Sequence, residues 1–280
     1  MTDIVKIKKW IEEADAIIIG AGAGLSDAAG IHYSGEKFEK DFIEWIKKYG
    51  IKDLYTSSFY PFETEEEKWA YWAKHIFFSY YERKHTTLYK NLFKLVKDKN
   101  YFVITTNTDG QFLHNGFDKE KVFEVQGSYS KLQCFLPCHN KLYDNEKIVK
   151  EMLSNIDSDL KIPSSLVPKC PVCGRNMSVN LRCDDTFVED DHWYKIQKKY
   201  DDFIKNNVDK KVLLLEFGIG FNTPGIIRFP FEEMTFTHDN FRLIRFNRKH
   251  AMVPSEIQHQ SISVKDSIGE TLELLEKLNR

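Results

Sequence analysis

A doubly wound α/β fold, a Rossmann-like parallel sheet carrying an inserted small domain, is predicted by three observations. First, the apolar run Ala16-Ile17-Ile18-Ile19 empties into Gly20-Ala21-Gly22-Ala23-Gly24. A parallel strand buried on both faces has this composition, and glycines at its end let a phosphate touch backbone. Second, short β-rich runs recur along the chain with helical segments between them, which is the pattern of a parallel sheet. Third, the five cysteines all lie between Cys134 and Cys183, which sets that stretch apart as a module of its own.

Taken in order, Asp3 to Glu13 reads as an amphipathic helix with Ile4, Ile7 and Ile11 on one face, followed by the first strand to Ile19. Residues 36–98 read as helices, beginning with Glu36 to Lys48. The segment Thr64 to Lys84 opens with the capping box Thr64-Glu65-Glu66-Glu67 and holds Trp69, Tyr71, Trp72, Phe77, Phe78, Tyr80 and Tyr81. Aromatics at that density belong to a core or to a lid. Tyr101 to Thr106 and Val122 to Val125 are the second and third strands; Lys211 to Glu216, Phe241 to Phe246 and Ser261 to Val264 are the fourth to sixth. Helix Gly269 to Leu278 closes the chain. The expected organisation is a discontinuous Rossmann-like domain of residues 1–34, 99–130 and 178–280, a helical module of 35–98 and a zinc-binding module of 131–177. The polar piece Asp144 to Pro168 is expected to be a surface excursion.

Composition narrows the function. With 42% hydrophobic residues in 280, a substantial core is available, and a formal net charge of −2 provides no basic field for nucleic acid or an anionic membrane surface. The first ten residues carry charges through their apolar positions, unlike a signal peptide, and no run approaches the ~20 apolar residues of a membrane span. A cytoplasmic location is expected.

An odd, clustered set of cysteines without a secretion signal argues for metal rather than disulfides. Cys170-Pro171-Val172-Cys173-Gly174 is a knuckle that turns two thiolates toward one ion, and Cys134 with Cys138 supplies the other pair. The expectation is a structural zinc site of four thiolates. Cys183 is left over and is expected to be a buried hydrophobe.

Open parallel sheets bind ligands at the carboxyl ends of their strands, and four such ends here carry suitable residues. These are the glycine turn, Thr105-Thr106-Asn107-Thr108-Asp109-Gly110, Glu124-Val125-Gln126-Gly127, and Gly218-Ile219-Gly220-Phe221-Asn222. Asn107 can hydrogen-bond an amide and Asp109 can polarise or deprotonate, although Asn-x-Asp also serves as a helix cap. The glycines do not complete the G-x-G-x-x-G dinucleotide fingerprint. The acidic ribose partner would be Glu39 or Asp41, which read as helical.

This order of motifs resembles the sirtuin family, NAD-dependent protein deacylases and ADP-ribosyltransferases, over nearly the whole chain. Gly22-Ala23-Gly24-Leu25-Ser26-Asp27-Ala28-Ala29-Gly30-Ile31 is similar to the loop that holds NAD in that family. Thr105 to Asp109 resembles its T-Q-N-I-D, whose Asn and Asp shape the nicotinamide pocket. The resemblance implies cofactor contacts at Gly22, Ala23, Gly24, Ser26, Ala28, Tyr33, Thr106, Asn107, Asp109, Gln126, Gly218, Gly220 and Asn222, with Asn247 and Asp266 toward the adenosine half. It also implies structural zinc at Cys134, Cys138, Cys170 and Cys173.

Several positions depart from the family. His32-Tyr33-Ser34-Gly35 replaces P-D-F-R, and Gly218-Ile219-Gly220 replaces G-T-S. Arg182 to Glu189 stands where deacylases have the stretch that holds acyl-lysine, and Gln126 replaces the catalytic His. With Tyr33-Ser34-Gly35-Glu36, Gln126-Gly127 resembles the macrodomain-linked class M branch, which ADP-ribosylates a lipoyl-carrier protein. Glutamine has no proton affinity near neutral pH, so it cannot replace a histidine general base. The expected function is therefore NAD cleavage with transfer of ADP-ribose to an acceptor protein, with Asn107, Asp109 and Gln126 in the reaction. The implied partners are a lipoylated, glycine-cleavage H-like carrier and a macrodomain hydrolase. A protein-lysine deacylase and a non-catalytic NAD or ADP-ribose sensor stay open as alternatives.

Overall fold

The computed structural model describes residues 3–82 and 85–278. Its strands are β1 Ala16–Ala21, β2 Tyr101–Thr105, β3 Val122–Glu124, β4 Gly127–Cys134, β5 Tyr143–Asp144, β6 Met177–Leu181, β7 Val212–Phe217, β8 Phe241–Phe246 and β9 Ser261–Val264. They belong to two compact units, the first made of Met1–Gly30, His85–Gln126 and Asp191–Arg280, the second of Ile31–Lys84 and Gly127–Asp190.

In the first unit six strands form a parallel sheet in the order β3-β2-β1-β7-β8-β9. The chain winds outward from β1 through β2 to β3, then returns to the other side of β1 and winds outward through β7, β8 and β9. The direction reverses at the β1–β7 pair, the switch point where sheets of this kind bind ligands. Strand periodicity explains the double winding. Ile17, Ile19 and Ala21 pack on one face with Ile7, Ile11, Leu92 and Leu272, which come from helices Ile4–Glu13, Thr87–Val96 and Ile268–Leu278. Ala16 and Ile18 pack on the other with Ile196, Tyr200 and Phe231, from helices Asp191–Lys205 and Arg228–Thr237. Asp3 caps the first helix as its position in sequence suggests, accepting the Lys6 N–H at 3.0 Å.

The boundaries differ from those read in the sequence. Helix Thr87–Val96 was expected in the helical module, but Leu88, Tyr89 and Leu92 complete the core under the sheet. Helix Asp191–Lys205 had no counterpart in the sequence reading; its buried side is confined to Ile196 and Tyr200. Residues 178–190 belong to the second unit because β6 pairs with β4.

The second unit merges the expected helical and cysteine modules around a single core. Phe38, Phe42, Trp69, Tyr71, Phe78, Tyr80 and Tyr81 pack with Leu132, Met152 and Met177, so the aromatic run is core. The expected helix Glu36 to Lys48 breaks at Phe42, a fully buried residue between Glu36–Asp41 and Ile43–Tyr49. Of the expected helix to Lys84, Glu65–Ile76 is α-helical and Phe77–Tyr81 forms a π-turn; residues 83 and 84 lie outside the described set. Thr64 accepts the Glu67 N–H at 3.2 Å and its hydroxyl donates to one Glu67 carboxylate oxygen at 3.3 Å, while the other oxygen accepts from Lys48 and Tyr49 at 3.0 Å each.

Two expectations about this unit are overturned. The piece from Asp144 to Pro168 is no surface excursion: it forms helix Glu146–Leu153 and buries Val149, Met152, Leu160, Ile162 and Val167. Apolar residues spaced among many polar ones concealed that amphipathic pattern. Cys183 is exposed, because it lies beyond the end of β6 in a turn where Asp184 accepts the Thr186 N–H at 2.8 Å. Among the described residues no helix is long and apolar enough to cross a membrane.

Two turns meet at the switch point. The Gly24 N–H donates to the Gly218 carbonyl at 3.1 Å, and a Cβ on Gly218 would lie 2.4 Å from the Gly24 carbonyl carbon. Gly218 also has φ +63°, in the left-handed region. Substituting Gly218→Ala therefore combines backbone strain with an immovable clash, and the expected loss is about 2 kcal/mol or more. Denaturant unfolding measures it, and an unchanged midpoint would refute this close approach.

Candidate functional site

The carboxyl end of β1 leads through Gly22 into the short helix Ala23–Ala28. The amides of this turn are less free than the glycine pattern suggests. The Gly22 N–H donates to the Phe217 carbonyl at 3.0 Å and the Gly24 N–H to Gly218, leaving the exposed Ala23 N–H unpaired with backbone or side chain among the described residues. The glycines also serve another purpose than expected. A Cβ on Gly22 would lie 2.8 Å from Ile219 Cδ1, and one on Gly24 2.7 Å from Gly218 Cα, so both glycines are needed to admit neighbouring protein.

The end of β2 supplies a buried polar cluster beside this turn. Thr105 and Thr106 hydroxyls donate to the Ala21 carbonyl at 3.2 and 3.4 Å, holding the two strand ends together. The Asn107 N–H donates to Thr105 Oγ1 at 3.0 Å and its side-chain amide to the Gly22 carbonyl at 3.0 Å. Asp109 is almost fully buried; its carboxylate accepts from Ser26 Oγ at 2.5 Å and from the Gln111 N–H at 3.1 Å. Burial drives the Asp109 carboxyl above the ordinary carboxylate range, against the lowering influence of those two donors. Tyr89, fully buried, places its hydroxyl 3.3 Å from Ser26 Oγ, and burial raises its proton affinity too. Ser26, Asn107 and Asp109 were anticipated and are brought together. Tyr89 was missed, since on the amphipathic helix Thr87–Val96 it reads as one more core aromatic.

Most of the remaining candidates follow other strands of the same sheet. Gln126 is half-buried just beyond β3, where Trp193 Nε1 donates to the Val125 carbonyl at 3.3 Å. Gly220 and Asn222 are exposed in the loop after β7, and a Cβ at Gly220 would meet open space. Asn247 follows β8 with its side chain committed: Nδ2 donates to the Ile219 carbonyl at 2.7 Å, and Oδ1 accepts from the Lys249 and His250 N–H groups at 3.0 and 2.9 Å. Asp266, beyond β9, and Ala28 are exposed. Tyr33 belongs to the second unit, where it is half-buried against the aromatic core.

Sequence reasoning also missed a buried ion network behind the β7 and β8 ends. Glu216 and Arg245, both fully buried, are register partners on the two strands and meet at 2.8 Å through both carboxylate oxygens. Arg245 reaches Glu232 at 2.7 Å, and Arg228 reaches the same carboxylate at 3.5 Å. The available signal was a charge inside each of two runs that otherwise read as buried strands, Glu216 in Val212–Phe217 and Arg245 in Phe241–Phe246.

In the second unit, Cys134, Cys138, Cys170 and Cys173 converge with their sulfurs within 4.8 Å of one another. Cys134–Cys173 and Cys138–Cys170 are 3.6 and 3.7 Å apart. Four sulfurs at the ~2.3 Å of a zinc–thiolate bond lie about 3.8 Å apart in a tetrahedron, so these residues fit a zinc ion. Burial opposes ionisation of Cys170, but the N–H groups of Cys173 and Val172 and the neighbouring thiols outweigh it and bring this thiol down to about 6, while burial and the same neighbours push Cys134 up and Cys138 to about 12, so a metal ion would displace the protons those two hold. A deprotonated sulfur is what a metal requires.

Two predictions follow from this geometry. The protein should carry one equivalent of zinc, and chelation should remove hydrogen-exchange protection from β4 and β6 while β1 and β7 keep theirs; a metal-free protein with full protection would rule the site out. The second concerns Asp109. Its folded-state proton affinity is raised, so its contribution to stability falls as pH climbs from the ordinary carboxylate range through the folded value. Asp109→Asn should therefore unfold at higher denaturant than the parent near pH 7, with the advantage gone below the ordinary carboxylate range of about 4. An advantage that persists in acid would mean that the carboxyl is not desolvated.

The sequence model of the Sir2 family matches residues 22–213. A protein ADP-ribosyltransferase of Staphylococcus aureus (strain Mu50 / ATCC 700699) is 36% identical over 264 residues, which covers 94% of this chain and 84% of that protein. A probable bifunctional ADP-ribose hydrolase/ADP-ribosyltransferase of Fusarium oxysporum f. sp. cubense is 32% identical over 284 residues; these cover 96% of this chain and 47% of that protein, so this chain spans about half of that relative. Among solved structures, a sirtuin studied for substrate affinity superposes with a TM-score of 0.61 at 18% identity, covering 98% of each chain. A Sir2 structure with a p53 peptide and NAD+ gives 0.59 at 17%, covering 99% of this chain and 98% of that one. These two share the fold. By the matched span, which includes the glycine turn and the Asn107–Asp109 strand end, and by its identity to the bacterial transferase, the chain belongs to the Sir2 family.

Proposed function

We propose that this chain is an NAD-dependent protein ADP-ribosyltransferase, which cleaves NAD, releases nicotinamide and transfers ADP-ribose to an acceptor protein. The observation that carries the reading is the buried cluster of Ser26, Asn107 and Asp109 at the end of β2, with Gln126, not histidine, beyond β3. The names of the two curated relatives agree with it. The dinucleotide fits the carboxyl edge of this sheet, where Ala23 presents an unpaired N–H at a helix start and the backbone at Gly220 is open. NAD supplies the ADP-ribosyl group and nicotinamide as the leaving group.

The roles of the side chains follow from what each can do. Asn107, its amide anchored on the Gly22 carbonyl, holds the nicotinamide end. Asp109 orients the reacting groups or accepts a proton at its carboxylate; burial has already raised its proton affinity. Gln126 orients the ribose through its amide but cannot take its proton. Deacylation needs a base there, whereas departure of nicotinamide needs positioning and charge stabilisation, so group transfer survives and deacylation does not. The acceptor we propose is a lipoylated carrier protein, from the resemblance to the class M branch, with a macrodomain hydrolase as the enzyme that reverses the modification.

The expected result with labelled NAD is label on the lipoylated carrier and little turnover of acyl-lysine peptides. Asn107→Ala and Asp109→Ala should each lower nicotinamide release by about 10²–10⁴-fold. Efficient peptide deacylation without labelled protein would replace this reading with that of a deacylase.

A further inference from the structure

Buried ion pairs cost so much desolvation that apolar residues of similar volume stabilise a core equally well. The network of Arg245, Glu216, Arg228 and Glu232 therefore calls for a reason other than stability. Its remaining donors show one. Arg228 donates to the His250 and Met252 carbonyls at 3.0 and 2.9 Å, and Arg245 donates to the Met252 carbonyl at 2.7 Å. Both arginines thus hold the loop of residues 247–254, which follows β8. The guanidinium of Arg228 also lies 4.5 Å from the centre of the Phe221 ring, in the loop after β7, and His250 meets that ring edge-on at 5.1 Å. Asn247 closes the arrangement by tying its own loop to the Ile219 carbonyl. Two loops at adjacent strand ends are held in one shape by three buried charges and the half-buried Glu232, and the exposed face of Phe221 is left as a flat surface beside them.

We propose that Arg228, Arg245, Glu216 and Glu232 are positioning residues that pre-form the adenosine end of the dinucleotide site. The inference rests on the cofactor reading above: with nicotinamide at Asn107 and Asp109, beyond β2, a ligand lying across the carboxyl edge extends over β1 and β7 toward β8. Each carboxylate is shared by both arginines, so the pair of loops moves as a unit. None of the four reaches out to bind the ligand; they act through the loop backbone and Phe221.

The test uses the double variant Arg228→Met with Glu232→Gln, which removes one charge of each sign and leaves the Arg245–Glu216 pair intact. If the loops then occupy the binding shape about one-tenth of the time, the apparent Kd for NAD and for AMP rises about tenfold. Binding of nicotinamide mononucleotide should not change, and the KM for NAD should rise without a matching fall in kcat. Arg228→Lys, which keeps the charge but loses the fork that spans two carbonyls, carries the same expectation should the double variant fail to fold. A folded variant with unchanged affinity for NAD and AMP overturns this inference alone. A parent protein that binds neither overturns the cofactor reading and this inference with it.

Discussion

The backbone contact between Gly24 and Gly218 is the constraint on which the first unit depends. Neighbouring parallel strands lie about 4.8 Å apart, and the turns leaving β1 and β7 must part from the sheet without colliding. Here they do so by touching, with a hydrogen bond between main chains where any side chain would intrude. The contact fixes where the helix Ala23–Ala28 starts, and with it Ser26. It also fixes the Gly22 carbonyl, to which Asn107 is anchored. The glycine pattern that reads as room for a phosphate is, at Gly22 and Gly24, first a condition for packing protein against protein.

Around that contact the first unit buries carboxylates in two settings, and burial raises the proton affinity of both Glu216 and Asp109. Glu216 has cations within ion-pair distance, and the whole network of two arginines and two glutamates is neutral. Among the described residues Asp109 has neutral donors alone, the Ser26 hydroxyl and the Gln111 N–H. A desolvated carboxylate without a cation lowers stability and holds a proton more readily, in keeping with the role proposed for Asp109. Tyr89 extends this cluster into the hydrophobic core, so the polar site and the packing of helix Thr87–Val96 depend on each other.

The second unit solves a different problem. Its antiparallel sheet, β5-β4-β6, is small, and its helices are short. Cohesion comes from aromatic packing and from four thiols brought to one point by two distant knuckles. His139 adds an imidazole nitrogen 3.4 Å from the Cys170 sulfur, where it can orient a ligand without being one.

The sequence by itself determined the strands of the parallel sheet, because short runs rich in β-branched, leucine and aromatic residues, bounded by turns, mark them even where Glu216 or Arg245 interrupts the apolar pattern. It also determined the four metal-competent cysteines and the strand ends that carry Asn107, Asp109 and Gln126. These signals are local: each is contained in a few consecutive residues. What only the tertiary structure decided depends on partners far apart in the chain. Tyr89 joins Ser26 across 63 positions, and Arg245 joins Glu216 across 29. The amides of Gly22 and Gly24 are taken by Phe217 and Gly218. Val149, Met152 and Leu160 were concealed for the same reason, since a short amphipathic segment reads as surface until something packs against it. Cys183 was misplaced because burial is a property of the surroundings, and a lone thiol carries no sign of which surroundings it will have. Sequence specifies which groups are available; the fold decides which are already spent on one another and which are left for a ligand.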